Sequence, residues 1–118
     1  MGSHQLKRLD LDKIKTISLK NSVECCGLVC SSGVYQLQNV AANPCCFFEV
    51  NPQEYFDVLL KEKVIFFWHS HVFGTEKPSK CDIAMSREIN LPSLIYSTLT
   101  SKFCFFHSGC IKPVYFYI

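Results

Sequence analysis

Val64-Ile65-Phe66-Phe67-Trp68-His69-Ser70-His71 begins with five apolar residues and ends on two histidines two positions apart. A continuous apolar run of this length reads as a buried strand. In a strand, residues two apart point to the same side, so His69 and His71 aim their imidazoles at one point. After seven intervening residues comes Ser79-Lys80-Cys81-Asp82, with the serine-to-acid spacing of a helix start that places Asp82 in the first turn. Two imidazoles and a carboxylate brought back by the loop make three protein ligands. Such a set suits a catalytic zinc with a fourth position left for water, rather than a closed structural site. The same residues also admit plainer readings, an incidental His-x-His and a simple helix cap.

Upstream of this stretch, Leu9, Leu11, Ile14, Ile17 and Leu19 recur between lysines and predict an amphipathic helix ending near Asn21. Leu28 to Cys30 and the alternating run Val34 to Val40 flank the turn residues Ser31-Ser32-Gly33, which predicts a hairpin. Ala41 to Pro44 reads as a connector and Cys45 to Val50 as a further strand. Asn51-Pro52-Gln53-Glu54 combines an N-cap residue, proline at the first helical position and glutamate at the third. The helix it starts should present Tyr55, Phe56, Leu59 and Leu60 inward and stop near Lys63. Downstream, the helix begun at Ser79 runs to about Ile89 and is broken by Leu91-Pro92. Ser93 to Ser97, Lys102 to Phe106 and Val114 to Ile118 then read as strands. The order of elements is that of a mixed α/β sheet with helices packed on it.

Composition narrows the function classes. Of 118 residues, 48% are hydrophobic and 19% charged, which is the make-up of a globular domain rather than a disordered chain. The formal charge of +2 comes with scattered lysines, so no nucleic-acid or membrane surface is marked. The apolar runs are too short to span a bilayer, and no signal peptide is expected. Residues 1–5 read as a cloning scar. Eight cysteines (Cys25, Cys26, Cys30, Cys45, Cys46, Cys81, Cys104 and Cys110) contain no CxxC pair, against a thiolate zinc ribbon or a thioredoxin-type motif. Most lie in apolar stretches, as small buried hydrophobes do. Reduced thiols in a cytoplasm are the expectation, with disulfides as the alternative.

The full constellation is Glu24 in Glu24-Cys25-Cys26-Gly27-Leu28, His69-x-His71, seven residues, Ser79, two residues and Asp82. It resembles the JAMM (MPN+) zinc metallopeptidase motif at every defining position. The resemblance runs from about Leu11 to Gly109 and is closest to the prokaryotic-type members. Within them it points to the JAMM domain of phage tail-assembly peptidases, through Asn39-Val40-Ala41-Ala42-Asn43-Pro44, Phe48-Glu49-Val50-Asn51-Pro52 and Leu91-Pro92-Ser93-Leu94-Ile95. The fold this implies is a cytidine-deaminase-like (JAB/MPN) α/β sandwich, a central mixed β-sheet flanked by helices, forming one domain over residues 6–118. Val72 stands where the family usually has proline. The segments that could hold ubiquitin-recognising insertions are short, which argues against a linkage-specific deubiquitinase.

By that resemblance, His69, His71 and Asp82 bind one Zn²⁺ per chain. Glu24 is the general base that takes a proton from the zinc-activated water and passes it to the leaving amine. Ser79 donates a hydrogen bond to the oxyanion. The reaction implied is hydrolysis of a peptide or isopeptide bond in a protein substrate. That substrate would be a ubiquitin-like or phage tail protein processed during tail assembly, in the host cytoplasm if the chain is phage-encoded. The competing reading is a non-catalytic MPN-type assembly module. Such domains typically lack a ligand, and none is missing here. A zinc nucleoside deaminase would need His-x-Glu and Pro-Cys-x-x-Cys, and a gluzincin His-Glu-x-x-His; neither pattern occurs. His107, Trp68, Ser70, Cys25 and Cys26 are read as structural. Cys81 is also set apart from the metal, because adjacent residues on a helix diverge in direction.

Overall fold

A computed structural model describes residues 6–43, 48–107 and 113–118. Three helices flank a six-stranded sheet. In chain order the elements are α1 (Arg8–Lys20), β1 (Cys26–Cys30), β2 (Gly33–Leu37), α2 (Pro52–Lys61), β3 (Val64–His71), α3 (Lys80–Ile89), β4 (Ser93–Ser97), β5 (Phe103–Phe106) and β6 (Val114–Phe116). The strand order is β2-β1-β3-β4-β5-β6. Only β3 and β4 run parallel, as strands joined through a crossover helix must; the other neighbours are antiparallel. The mixed α/β sheet expected from the sequence is therefore present. No helix of the described residues is long and apolar enough to cross a membrane.

The central strand β3 is covered on both faces, and its alternation divides the molecule. Phe66 and Trp68 join Leu11, Ile14, Val29, Leu94, Tyr96 and Phe103 in the core beneath α1. Phe67 joins Cys26, Leu28, Cys30 and Leu37 on the other face, where Tyr55 and Val58 of α2 and Met85 and Ile89 of α3 pack. Gly27 stands opposite Trp68 in the register. A side chain at Gly27 would collide with the indole, whose Nε1–H donates to the Tyr35 carbonyl at 3.3 Å.

Several expectations need correction. In α1 the buried face is Leu11, Ile14 and Ser18, while Leu9 (80% exposed) and Leu19 point outward. In α2 the residues turned to the core are Tyr55 and Val58, not Phe56, Leu59 or Leu60, all three of which are exposed. Tyr55 and Val58, three residues apart, are the pair that reaches the Phe67 cluster, while apolar residues occur all round this helix. At the helix start Asn51 Oδ1 accepts from the Gln53 amide as expected, and Glu54 Oε1 accepts from the Gln38 amide at 2.8 Å, tying the helix to the end of the hairpin. The strand expected over Cys45 to Val50 falls partly on residues 44–47, outside the described residues. Of its described part, Phe48 and Glu49 lie in no strand and Val50 forms a single antiparallel bridge with Asn39. Cys25, Cys26, Cys30 and Cys104 are free and buried, and Cys81 is free and exposed. Cys45, Cys46 and Cys110 lie outside the described residues, as do residues 1–5, read from the sequence as a scar.

Candidate metal centre

The parallel β3–α3–β4 unit brings the start of α3 to the carboxyl end of β3, where sites in open α/β sheets form. β3 extends through His71, so both histidines leave the sheet on the face shared with α3. Ser79 caps α3, its Oγ accepting from the Asp82 amide at 3.0 Å. The reciprocal arm of this capping box is the Asp82 carboxylate, which accepts from the Ser79 amide at 2.8 Å. The plain and functional readings of Ser79-x-x-Asp82 thus hold together: the cap is what aims the carboxylate at the histidines.

Around the common point, His69 Nε2 lies 3.1 Å from Asp82 Oδ1 and His71 Nε2 lies 3.0 Å from Asp82 Oδ2. The two Nε2 atoms are 3.3 Å apart. Donors bonded at 2.0–2.1 Å to a tetrahedral ion are separated by about 3.4 Å. The three side chains therefore present donor atoms of the right kind at the spacing such an ion needs, and together they form a group that can hold a metal ion. Cys81 is exposed and not part of that group, as expected.

The surroundings tune these donors. The His71 Nδ1–H donates to the Thr75 carbonyl at 2.6 Å, which keeps the proton on Nδ1 and directs Nε2 at the site. His69 is fully buried against the Phe48 ring, 4.4 Å between centroids. Its Nδ1 is buried with no hydrogen-bond partner among the described residues. Burial pushes the His69 imidazole below its ordinary pKa, favouring the neutral form that ligates. Burial also opposes charge on His71, but hydrogen bonds with Asp82 and the Thr75 carbonyl outweigh it and raise its pKa. The Asp82 carboxyl is buried as well, yet hydrogen bonds from His69, His71 and the Ser79 amide hold it well below the usual carboxylate range.

Glu24 arrives from β1. The pairing of Cys26 with His69 continues through Ser70, whose amide donates to the Cys25 carbonyl at 2.9 Å and whose Oγ accepts from the Cys25 amide at 2.8 Å. One step further along this register sets Glu24 beside His71, on the face of the sheet that carries the histidines. The Asn39 side chain holds the Glu24 carbonyl at 2.8 Å. Glu24 is 7% exposed. Burial raises its pKa to about 7, against the pull of His71 and with the help of the Asp82 charge. Ser79 is exposed, and among the described residues no acceptor takes its hydroxyl proton.

All five residues singled out in the sequence converge on this end of β3, while Ser70 and Trp68 face the α1 side as expected. Sequence reasoning missed the supports: Thr75 through its carbonyl, Asn39, Phe48, and the β4–β5 turn. Only the turn left a signal, in the hydroxyl-rich run Ser97-Thr98-Leu99-Thr100-Ser101. A separate surface cleft between α1 and the β1–β2 turn, lined by Lys7, Asp10, Lys13, Ser32 and Tyr35 among others, contributes no residue to the metal-ligating group.

No curated protein matches the chain. Its fold is similar to the solution structure of protein DSY2949 from Desulfitobacterium hafniense, with a TM-score of 0.67 at 19% identity over 92% of this chain and 87% of that one. Residues 13–107 match the family of prokaryotic homologs of the JAB domain, a span that holds Glu24, His69, His71, Ser79 and Asp82 and every strand but β6. The chain belongs to the prokaryotic JAB-domain family.

Proposed function

We propose that the protein is a zinc-dependent peptidase or isopeptidase. The observation that carries this reading is the meeting of His69 Nε2, His71 Nε2 and the Asp82 carboxylate at 3.0–3.3 Å. These three side chains would hold Zn²⁺. When bound there, the ion supplies Lewis acidity and lowers the pKa of a coordinated water towards about 7.

The chain's own residues do the rest. Glu24 is a carboxylate beside the ligands without belonging to their group, which is the position of a proton carrier. With its pKa near 7 in the metal-free protein, it is poised to accept a proton from the attacking water and return it to the leaving amine; a cation alongside would shift it toward the ionised, accepting form. Ser79 keeps its hydroxyl proton for the substrate while its oxygen serves the cap, so it can donate to the oxyanion of the tetrahedral intermediate. That donation is worth about 3 kcal/mol in comparable sites.

The complete donor set with an adjacent base favours the enzyme over a non-catalytic assembly module. For the substrate we propose a protein or peptide, with ubiquitin-like fusions and phage tail proteins as the first candidates and the cytoplasm as the place of action. The flanking segments near Asn39 and Leu91 support the tail-assembly type.

Metal content of the purified protein tests the reading. About one zinc per chain is expected, lost in His69→Ala and Asp82→Ala, with Glu24→Gln retaining zinc but cleaving no candidate substrate. Absence of zinc even after zinc is supplied would overturn the enzyme reading in favour of the module.

A further inference from the structure

The loop from Val72 to Pro78 carries the carbonyl that fixes His71, and it is held from outside by the β4–β5 turn. Ser97 is fully buried, and its hydroxyl donates to the Gly74 carbonyl at 2.7 Å while accepting from the amides of Leu99 and Thr100 at 3.2 Å each. The Thr98 amide donates to the His71 carbonyl at 3.0 Å. Thr100 Oγ1 donates to Glu76 Oε1 at 2.6 Å, a bond short enough to be charge-assisted. Gly74 and Glu76 lie on either side of Thr75, so the turn grips the loop on both flanks of the residue that meets the imidazole.

We propose that Ser97 and Thr100 are positioning residues of the metal centre: through Gly74 and Glu76 they hold the Thr75 carbonyl against His71 Nδ1, so that Nε2 is the ligating atom. This rests on the reading of His71 as a metal ligand. Partners that orient a ligating histidine commonly govern metal affinity as well as ring orientation.

The test compares wild type with Thr100→Val, Thr100→Ser, Ser97→Ala and Glu76→Ala by two measurements. NMR of the metal-free protein reads the His71 Nδ1–H, whose downfield shift and protection from exchange report the bond to the Thr75 carbonyl whether or not Nε2 also carries a proton toward Asp82, and competition with a chromophoric chelator reads zinc affinity. We expect a downfield, protected Nδ1–H in wild type and Thr100→Ser. Loss of that protection, with affinity about 10-fold weaker or more, is expected in Thr100→Val, Ser97→Ala and Glu76→Ala. The proposal is overturned for Thr100 if Thr100→Val or Glu76→Ala keeps both the protected Nδ1–H and the affinity or if Thr100→Ser loses as much as Thr100→Val, and for Ser97 if Ser97→Ala keeps both. Should Thr100→Val fail to fold, Glu76→Ala decides by the same two readings. A wild type that takes up no zinc removes the metal reading alone, because the Nδ1–H is measured without metal.

Discussion

Trp68 and His69 are neighbours on one strand, 0% and 1% exposed, yet they belong to opposite kinds of interior. On the α1 face, Phe66 and Trp68 meet aliphatic and aromatic partners from α1, β1, β4 and β5. Here burial stabilises, through apolar area removed from water. On the opposite face the apolar cluster around Phe67 gives way within two residues to His69, His71, Asp82 and Glu24. Here burial costs, because each group is desolvated, and the cost shows in the raised Glu24 and lowered His69 pKa values. Depth does not separate packing from chemistry; polar groups facing one another in the interior do.

Substitution of the two neighbours should separate the two faces most strongly. Trp68→Ala should lose about 3–5 kcal/mol of stability in urea titration, because a large side chain leaves a cavity in a closely packed cluster. His69→Ala should lose less than half as much while abolishing zinc uptake measured on the same samples. Equal losses of stability would show that the two faces are energetically alike.

The polar face also makes the stability of the metal-free protein depend on pH. Glu24 has its folded pKa raised from 4.5 to about 7, so between these values the folded state holds more protons than the unfolded one. The Glu24 contribution to stability should therefore fall as pH rises through that window and level off above it, by at most about 3 kcal/mol, alongside the separate contributions of His69 and His71. Glu24→Gln should be free of this fall. Asp82 has the opposite sign, its lowered pKa contributing stability that is lost as pH drops below the usual carboxylate range. The difference between the Glu24→Gln and wild-type curves isolates the Glu24 share. Identical curves would place Glu24 in a solvated environment.

The smallest effect is at the cap. Ser79→Ala removes the bond to the Asp82 amide and should cost about 1 kcal/mol of stability. Thr at the same position should restore it, since Thr also caps. If Ser79→Ala leaves stability unchanged, the capping box is not what holds Asp82.

Much of the fold was legible because strong local signals agreed with the final packing: the hairpin around Ser31-Ser32-Gly33, the Asn51-Pro52 helix start, and the apolar run before His69. The ligands were legible because strand alternation and a helix cap are local geometry. The inner face of α2 was not, since Tyr55, Phe56, Val58, Leu59 and Leu60 offer apolar residues in nearly every direction and packing against Leu28, Leu37 and Phe67, distant in sequence, selects Tyr55 and Val58. The nearness of Glu24 to His71 depends on the β1–β3 register, a long-range pairing that the short motif around Glu24 does not encode. The grip of Ser97 on Gly74 and of His71 on Thr75 ends on backbone carbonyls, which carry no sequence signature at all.

That last property has an evolutionary consequence. The path of the loop between His71 and Ser79 is fixed through the carbonyls of His71, Gly74 and Thr75 and the carboxylate of Glu76, and the side chains of Val72, Phe73 and Lys77 play no part in those bonds. Asp82 is delivered by its own cap. Mutation can thus rewrite these loop side chains, Val72 in place of the usual proline among them, and alter what the mouth of the site meets while the donor atoms inherit the same positions. Selection on partners and selection on the centre can proceed almost independently over adjoining residues.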